Sequence, residues 1–279
     1  MSFFRSFVRG LQAGLLIKPA IKILRRRRGD PTFWTMPHDP ICREMLVNGF
    51  YERDLLEKMC SLGANPSGVV LDIGANIGNH TIYFSRVYSK VISFEPSRSN
   101  CWILKANLHL NRVSNVVLVE KAVGDKAGYA CLSNDNPQDT NNSLLNSTFQ
   151  LAAAGDNQVE IVVGDEVLAQ MREELPVSLI KIDVEGNEAK VIQGLQQTIR
   201  QHKPLVFWEA FTLDKVNESR ALLDEMGYRH FYHVTARRYS SRWANKIARI
   251  ADRRAVLKSL DDCSTFEGMN LASPVALKA

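Results

Sequence analysis

Nowhere does this chain of 279 residues hold the ~20 consecutive apolar residues that a membrane-spanning helix needs. The first 30 residues come nearest, and there Arg5, Arg9, Lys18 and Pro19 break the apolar positions. The five cysteines, Cys42, Cys60, Cys101, Cys131 and Cys263, are odd in number and form no C-x-x-C pair. They exclude a sequence-coded metal ribbon or disulfide framework and read as reduced thiols of a cytosolic protein. A full dinucleotide fingerprint is also missing. It wants glycine at its first, third and sixth positions, where the chain has Gly74, Asn76 and Asn79, and NAD is thereby disfavoured.

What is present begins with charge. The net charge of +5 is modest, but Arg5, Arg9, Lys18, Lys22 and the run Arg25 to Arg28 load the N-terminus. Interleaved Phe3, Phe4, Phe7, Val8, Leu11, Leu15 and Leu16 recur near helical spacing, which suits an interfacial helix on an anionic membrane. A helix packed on the domain with a solvated charge run behind it fits equally, and RNA contact is the weaker third reading. Residues Asp30 to Pro40 look like a connector, ahead of helical sequence around Leu46 to Leu62.

The most informative stretch is Val69 to Thr81, VVLDIGANIGNHT, an apolar run that breaks into a glycine turn and then into helix-compatible residues. It reads as a buried parallel strand, a tight loop and a helix from near Ile77, where Gly74 and Gly78 allow close backbone approach to a ligand. An acid followed by glycines at alternate positions is an S-adenosylmethionine pattern, matched by Asp72, Gly74 and Gly78 with Asn76 in place of the middle glycine. Ala75 and Asn79 complete the turn. About 20 residues on, Val91 to Pro96 is a second strand ending in an acid, and Glu95 there suits a clamp on both ribose hydroxyls.

From Gly68 onward strands and helices alternate: Val69 to Asp72, Ile77 to Val87, Val91 to Glu95, Ser99 to Leu110, Val116 to Glu120, Leu179 to Asp183, Glu188 to Arg200 and Leu205 to Glu209. This pattern predicts an α/β fold with a doubly wound, mostly parallel sheet, helices on both faces and ligands at the carboxyl ends of the strands. The acids Asp72, Glu95, Asp183 and Glu209 fall at those ends. The expected organisation is an arm and helical lead-in over 1–60, a catalytic domain over 61–235 and a basic helical tail over 236–279. Gly124 to Gln158 reads as a mobile substrate-covering loop, Tyr228 to Val234 as a last strand, Arg237 to Leu260 as an amphipathic helix and Asp261 to Ala279 as a frayed end.

By its motifs D-I-G-A-N-I-G-N-H-T at Asp72 to Thr81, F-E-P at Phe94 to Pro96 and K-I-D-V-E-G at Lys181 to Gly186, the chain resembles the FkbM-type family of S-adenosylmethionine-dependent methyltransferases. The resemblance spans Val69 to Val234. It implies a class I methyltransferase, Rossmann-like fold and transfer of a methyl group to a hydroxyl oxygen, often on a sugar or a sugar-bearing small molecule. One departure is Val163 to Leu168, VGDEVL, where members often carry a Leu-Asp-Asp-like segment.

Methyl transfer from a sulfonium needs an aligned acceptor oxygen and a group that takes its proton. Asp183 and Glu185 are the first candidates, with His80 and Glu209 behind them. Helix capping by Asp183, a partnership of Glu185 with Lys181 and a scaffold role for His80 are the competing structural readings. Asp72, Gly74, Ala75, Asn76, Gly78, Asn79 and Glu95 are the candidate cofactor residues. Converging carboxylates make a divalent metal conceivable, but no diagnostic ligand spacing assigns one. Gly186 serves the turn into the next helix, and Phe207 and Trp208 belong to the core. The expected partner is a sugar or glycan acceptor. The expected location is cytoplasmic, with peripheral contact at the inner membrane face as a variant. An RNA ribose methyltransferase and a non-catalytic docking protein on the same fold are the alternatives. The first is weakened by the absence of an Asp/Asn-Pro-Pro-aromatic signature and of an aromatic-basic RNA platform.

Overall fold

Val69–Ile73 (β1) becomes a strand because every one of its residues, Asp72 included, finds cover on both faces of a sheet. The computed structural model describes residues 29–34, 45, 49–62, 64–134, 147–150, 158–236, 255–262 and 268–277. The basic arm over 1–28, with its expected interfacial helix, lies outside these residues. No helix among the described residues is long and apolar enough to cross a membrane. Contacts divide the chain into Met1–Arg53 and Asp54–Ala279. In the first unit, the Arg53 guanidinium donates to Asp30 Oδ1 at 2.9 Å.

The second unit carries the fold. Helix α1 (Arg53–Ser61) buries Leu56 and Met59 and leads toward β1. After β1 come α2 (Asn79–Ser85), β2 (Lys90–Phe94), α3 (Arg98–Leu110) and β3 (Val116–Val119). Strands β4 (Ala122–Gly124), β5 (Gly128–Asn134), β6 (Ser147–Gln150) and β7 (Gln158–Val163) follow, then α4 (Gly164–Gln170) and β8 (Val177–Ile182). The chain closes with α5 (Glu188–Gly194), α6 (Gln196–His202), β9 (Leu205–Ala210), α7 (Leu213–Glu225), β10 (His230–Ala236), β11 (Ala255–Ser259), a 3-10 turn and β12 (Gly268–Ser273).

The main sheet runs in the order β11-β10-β12-β9-β8-β1-β2-β3. Pairs β3/β2, β2/β1, β1/β8 and β8/β9 are parallel, while β12 runs antiparallel to both β9 and β10. Crossovers proceed outward from β1 in one direction to β3 and from β8 in the other to β9. Right-handed connections therefore place their helices on opposite faces. This is the doubly wound, mostly parallel sheet expected from the sequence. Its topological switch point lies between β1 and β8, where an open α/β sheet offers its crevice.

Three expectations change. The stretch read as a covering loop supplies β5 and β6 to a second sheet of order β4-β7-β5-β6, with residues 135–146 and 151–157 outside the described residues. Of the tail, residues 237–254, most of the stretch expected as an amphipathic helix, lie outside the described residues; its last residues form β11, and the end expected to fray supplies β12, buried between β9 and β10. Tertiary pairing overrides weak local preference there. The Asn270 side chain meets His233 Nδ1 at 3.1 Å, which gives a buried amide a partner. The single helix expected over Glu188 to Arg200 divides at Leu195 into α5 and α6. Gly194 packs so closely on β4 that a Cβ would stand 2.1 Å from Gly124 O.

Candidate active site

At the end of β1 the chain turns sharply. Gly74 adopts φ +78° and Asn76 φ +51°. The N–H groups of Gly74 and Ala75 both donate to Phe94 O at the end of β2, at 3.0 and 3.1 Å. Glycine is required at position 74, because a Cβ would lie 1.9 Å from Asp183 O across the switch point. Gly78, at φ +94°, precedes α2, whose residues Asn79 and His80 are buried. Helix α3 holds the turn from outside, its Asn107 Nδ2 donating to Ile77 O at 2.8 Å.

Glu95 latches the turn from β2. Its Oε2 accepts the Asn76 N–H at 2.8 Å, and its Oε1 accepts the Ser97 N–H at 3.0 Å and Asn100 Nδ2 at 3.3 Å. Burial raises the pKa of its carboxyl in spite of these donors and the charge of Lys181. The residue expected at a ribose is thus committed first to the loop, with about one of its four acceptor positions left over.

Asp72 lies deeper. It is fully enclosed, accepts Thr81 Oγ1 at 2.6 Å on Oδ2, and has Lys181 Nζ 3.2 Å from Oδ1. Lys181 on β8 is buried as well, and its ammonium donates to Gly74 O at 2.8 Å and stands 3.4 Å from Asp183 Oδ2. Burial works against its charge, but Asp72 and Asp183 outweigh that effect and raise its pKa. One cation therefore joins β1, the glycine turn and the end of β8. From sequence, Lys181 has only a place in the K-I-D-V-E-G motif and a partnership with Glu185. The signal for its role was a lysine inside the apolar run Leu179 to Ile182, where an uncompensated charge has no place.

The four candidate bases meet around Asp183. Burial alone would raise its carboxyl, yet Lys181, a hydrogen bond with Glu209 on β9 and the nearby His80 together hold it below the ordinary value. Glu185, two residues on and exposed, is pushed upward by partial burial, by Asp183 and by Glu188. It also sits at φ +52°, a conformation that costs a non-glycine residue about 1–2 kcal/mol. Glu188 is buried at the start of α5 and accepts the Gly186 N–H at 2.8 Å. Among the described residues no group of His, Cys, Asp or Glu side chains is arranged to hold a metal ion.

Beside this cluster a cavity of about 360 Å³ opens over the ends of β1 and β2. Ile73, Gly74, Phe94, Pro96, Val123 and Val184 are among the residues that line it. Val184 lies between Asp183 and Glu185, so the cavity reaches the turn that bears both acids. Phe207 and Trp208 take no part in it; both are enclosed in the core, as expected. Cys60, Cys101 and Cys131 are free thiols, and burial pushes Cys60 and Cys101 up to about 12, far from nucleophilic at neutral pH.

The VGDEVL segment also finds its explanation. Asp165 accepts the N–H groups of Gln197 and Thr198 and the Thr198 hydroxyl, at 2.8, 3.0 and 2.6 Å. It caps α6, whose preceding Leu195 has no capping side chain.

Residues 72–230 match the family model of the methyltransferase FkbM domain. Methyltransferase 1 of Beauveria bassiana is 31% identical over 144 residues, 45% of this chain and 57% of that protein. Hexuronic acid methyltransferase AglP of Haloferax volcanii is 26% identical over 137 residues, 49% of this chain and 54% of that protein. Methyltransferase sdnD of Sordaria araneosa is 27% identical over 204 residues, 61% of this chain and 76% of that protein. The chain thus spans little more than half the length of the first two relatives. The match covers the glycine turn, the Glu95 latch, the Lys181 bridge and the Asp183 cluster in one continuous stretch, and the chain belongs to the FkbM methyltransferase family.

Proposed function

We propose that this protein is an S-adenosylmethionine-dependent O-methyltransferase that modifies a hydroxyl of a sugar, a glycan or a glycosylated small molecule. The observation that carries the reading is the meeting, at the β1/β8 switch point, of a glycine turn, an apolar cavity and a carboxylate cluster.

The residues present fit the cofactor. Phe94, Pro96, Val123 and Val184 provide apolar walls for a planar base. Asn76 Oδ1 is buried in the turn with no hydrogen-bond partner, an acceptor suited to an ammonium group. Glu95 retains acceptor capacity beside the cavity-lining Phe94 and Pro96. Once bound, S-adenosylmethionine supplies an electrophilic methyl group. The protein orients the acceptor oxygen and receives its proton, and Glu185 suits the second task. It is exposed, and its raised pKa moves it toward the working pH at which proton transfer is most effective. Asp183, held ionised, suits hydrogen bonding that orients the acceptor. A sugar acceptor is supported by the relative whose name specifies hexuronic acid.

The test is ligand-induced stabilisation. S-adenosylmethionine or its demethylated product, at ~100 times the dissociation constant, adds about 2.7 kcal/mol. The reading requires such a shift with these ligands, none with NADH, and a weaker shift in Glu95→Ala. Absence of any shift with either sulfur ligand overturns it.

A further inference from the structure

The lining of the cavity is chemically divided. Beside its apolar residues stand Lys121, Lys126 and Lys190, together with Tyr129, Asn187 and a single acid, Asp125. These residues come from three separate places: the β3–β4 turn, the β4–β5 connection with the start of β5, and α5 with its approach. Lys121 is engaged, its ammonium 2.7 Å from Glu160 Oε1. Lys126 and Lys190 are exposed and make no hydrogen bond or ion pair among the described residues. The Asn187 side chain caps nothing at the start of α5. Tyr129 is 63% exposed, its ring uncovered by the core.

Two unpaired cations, an uncommitted amide and an open aromatic face at the mouth of one cavity are the elements that recognise an anionic sugar. The ring packs on the aromatic face, the amide bonds hydroxyls, and the ammonium groups meet a carboxylate or phosphoryl group. Charged residues on a fold with no partner of their own are cheap to keep only while solvated. Their convergence on an apolar cavity concentrates positive potential where an acceptor enters. Val184, between Asp183 and Glu185 in sequence, lines the same cavity as Tyr129.

We infer that Lys126 and Lys190, with Tyr129 and Asn187, form an acceptor subsite selective for a sugar bearing an anionic group. This rests on the methyltransferase reading above and narrows its substrate class from sugars in general to acidic or phosphorylated ones. None of these residues belongs to the glycine turn or the carboxylate cluster.

The experiment is calorimetric titration of the full chain, saturated with the demethylated cofactor product, using D-glucuronate, glucose 1-phosphate and neutral glucose as probes. Wild type binds at least one anionic probe more tightly than glucose, and added salt erodes that preference. The double variant Lys126→Gln/Lys190→Gln loses about tenfold in affinity for the anion, keeps its affinity for glucose, and keeps the thermal shift with the cofactor product. Tighter binding of glucuronate than of the phosphate names the carboxylate as the recognised group, and the reverse order names the phosphoryl. Equal affinity for all three probes, no binding of either anion, or an unaltered anion affinity in the double variant overturns the subsite while leaving the cofactor reading intact. A wild-type chain that shows no thermal shift with the cofactor product overturns the cofactor reading, and the acceptor assignment falls with it.

Discussion

Lys181 Nζ stands 3.2 Å from Asp72 Oδ1 with both side chains enclosed, an ion pair at the centre of a parallel sheet. Desolvation makes such a pair poor as a source of stability, but removing one partner leaves the other charged and unaccompanied. Here the lysine also holds Gly74 O and faces Asp183, so its loss reaches the turn and the cluster together.

Lys181→Met therefore destabilises the fold by about 3–5 kcal/mol in urea unfolding. Asp72→Asn in the same chain recovers part of that loss, because the stranded carboxylate is what the single variant leaves behind. Additive effects of the two substitutions would contradict the coupling.

Two glycines of the shared motifs have opposite tolerances. Gly74→Ala drives a Cβ into Asp183 O at 1.9 Å while also imposing the strain of φ +78°. A cost of at least ~2–3 kcal/mol follows, with loss of cofactor-induced stabilisation. Gly186→Ala carries only the strain of φ +96°, since no atom lies within 4 Å of the new Cβ, and costs about 1–2 kcal/mol. Thermal unfolding of the two variants side by side checks the contrast.

The central strands were legible because a strand buried on both faces reads as an apolar run, and the acids Asp72, Glu95, Asp183 and Glu209 were legible because they end such runs. A convergence of carboxylates was expected from those strand ends, whereas the approach of His80, at a helix start, to Asp183 was not. What the residues do to each other was not. That Glu95 latches Asn76, and that Lys181 bridges β1 and β8, depends on side-chain directions that no spacing encodes. Strand β12 was illegible for a different reason. Gly268, Asn270 and Ser273 carry little strand preference, and pairing with β9 and β10 imposes the conformation. The second sheet was hidden in the same way, by a segment whose Gly, Asn and Ser content resembles a loop.

Asp165 is a case where a departure from the family pattern has a structural use. Asp165→Ala removes three hydrogen bonds at the start of α6 and costs about 1–2 kcal/mol in thermal or urea unfolding. Cofactor affinity stays unchanged, since no cavity-lining residue depends on that cap. A fall in cofactor affinity without loss of stability would instead place Asp165 in the binding site.

Glu185 yields a prediction in which activity and stability move in opposite directions. Its folded pKa is raised by partial burial and by the charges of Asp183 and Glu188. A group whose folded pKa exceeds its unfolded value favours folding at pH below the unfolded pKa, and that contribution disappears as pH rises through the folded pKa. At neutral pH the ionised Glu185 thus works against the fold, and Glu185→Gln is more stable than wild type there, with the advantage shrinking toward acid. In the proposed reaction the same ionised form accepts the proton, so methyl transfer in wild type is expected to rise with pH through the raised pKa. In Glu185→Gln that acid limb disappears and turnover falls about 100-fold or more, the range expected for loss of a general base. Glu185→Gly adds relief of the φ +52° strain and unfolds later still. If Glu185→Gln instead retains full turnover and the acid limb, the proton goes elsewhere in the cluster, and Asp183→Asn becomes the variant whose pH profile decides where.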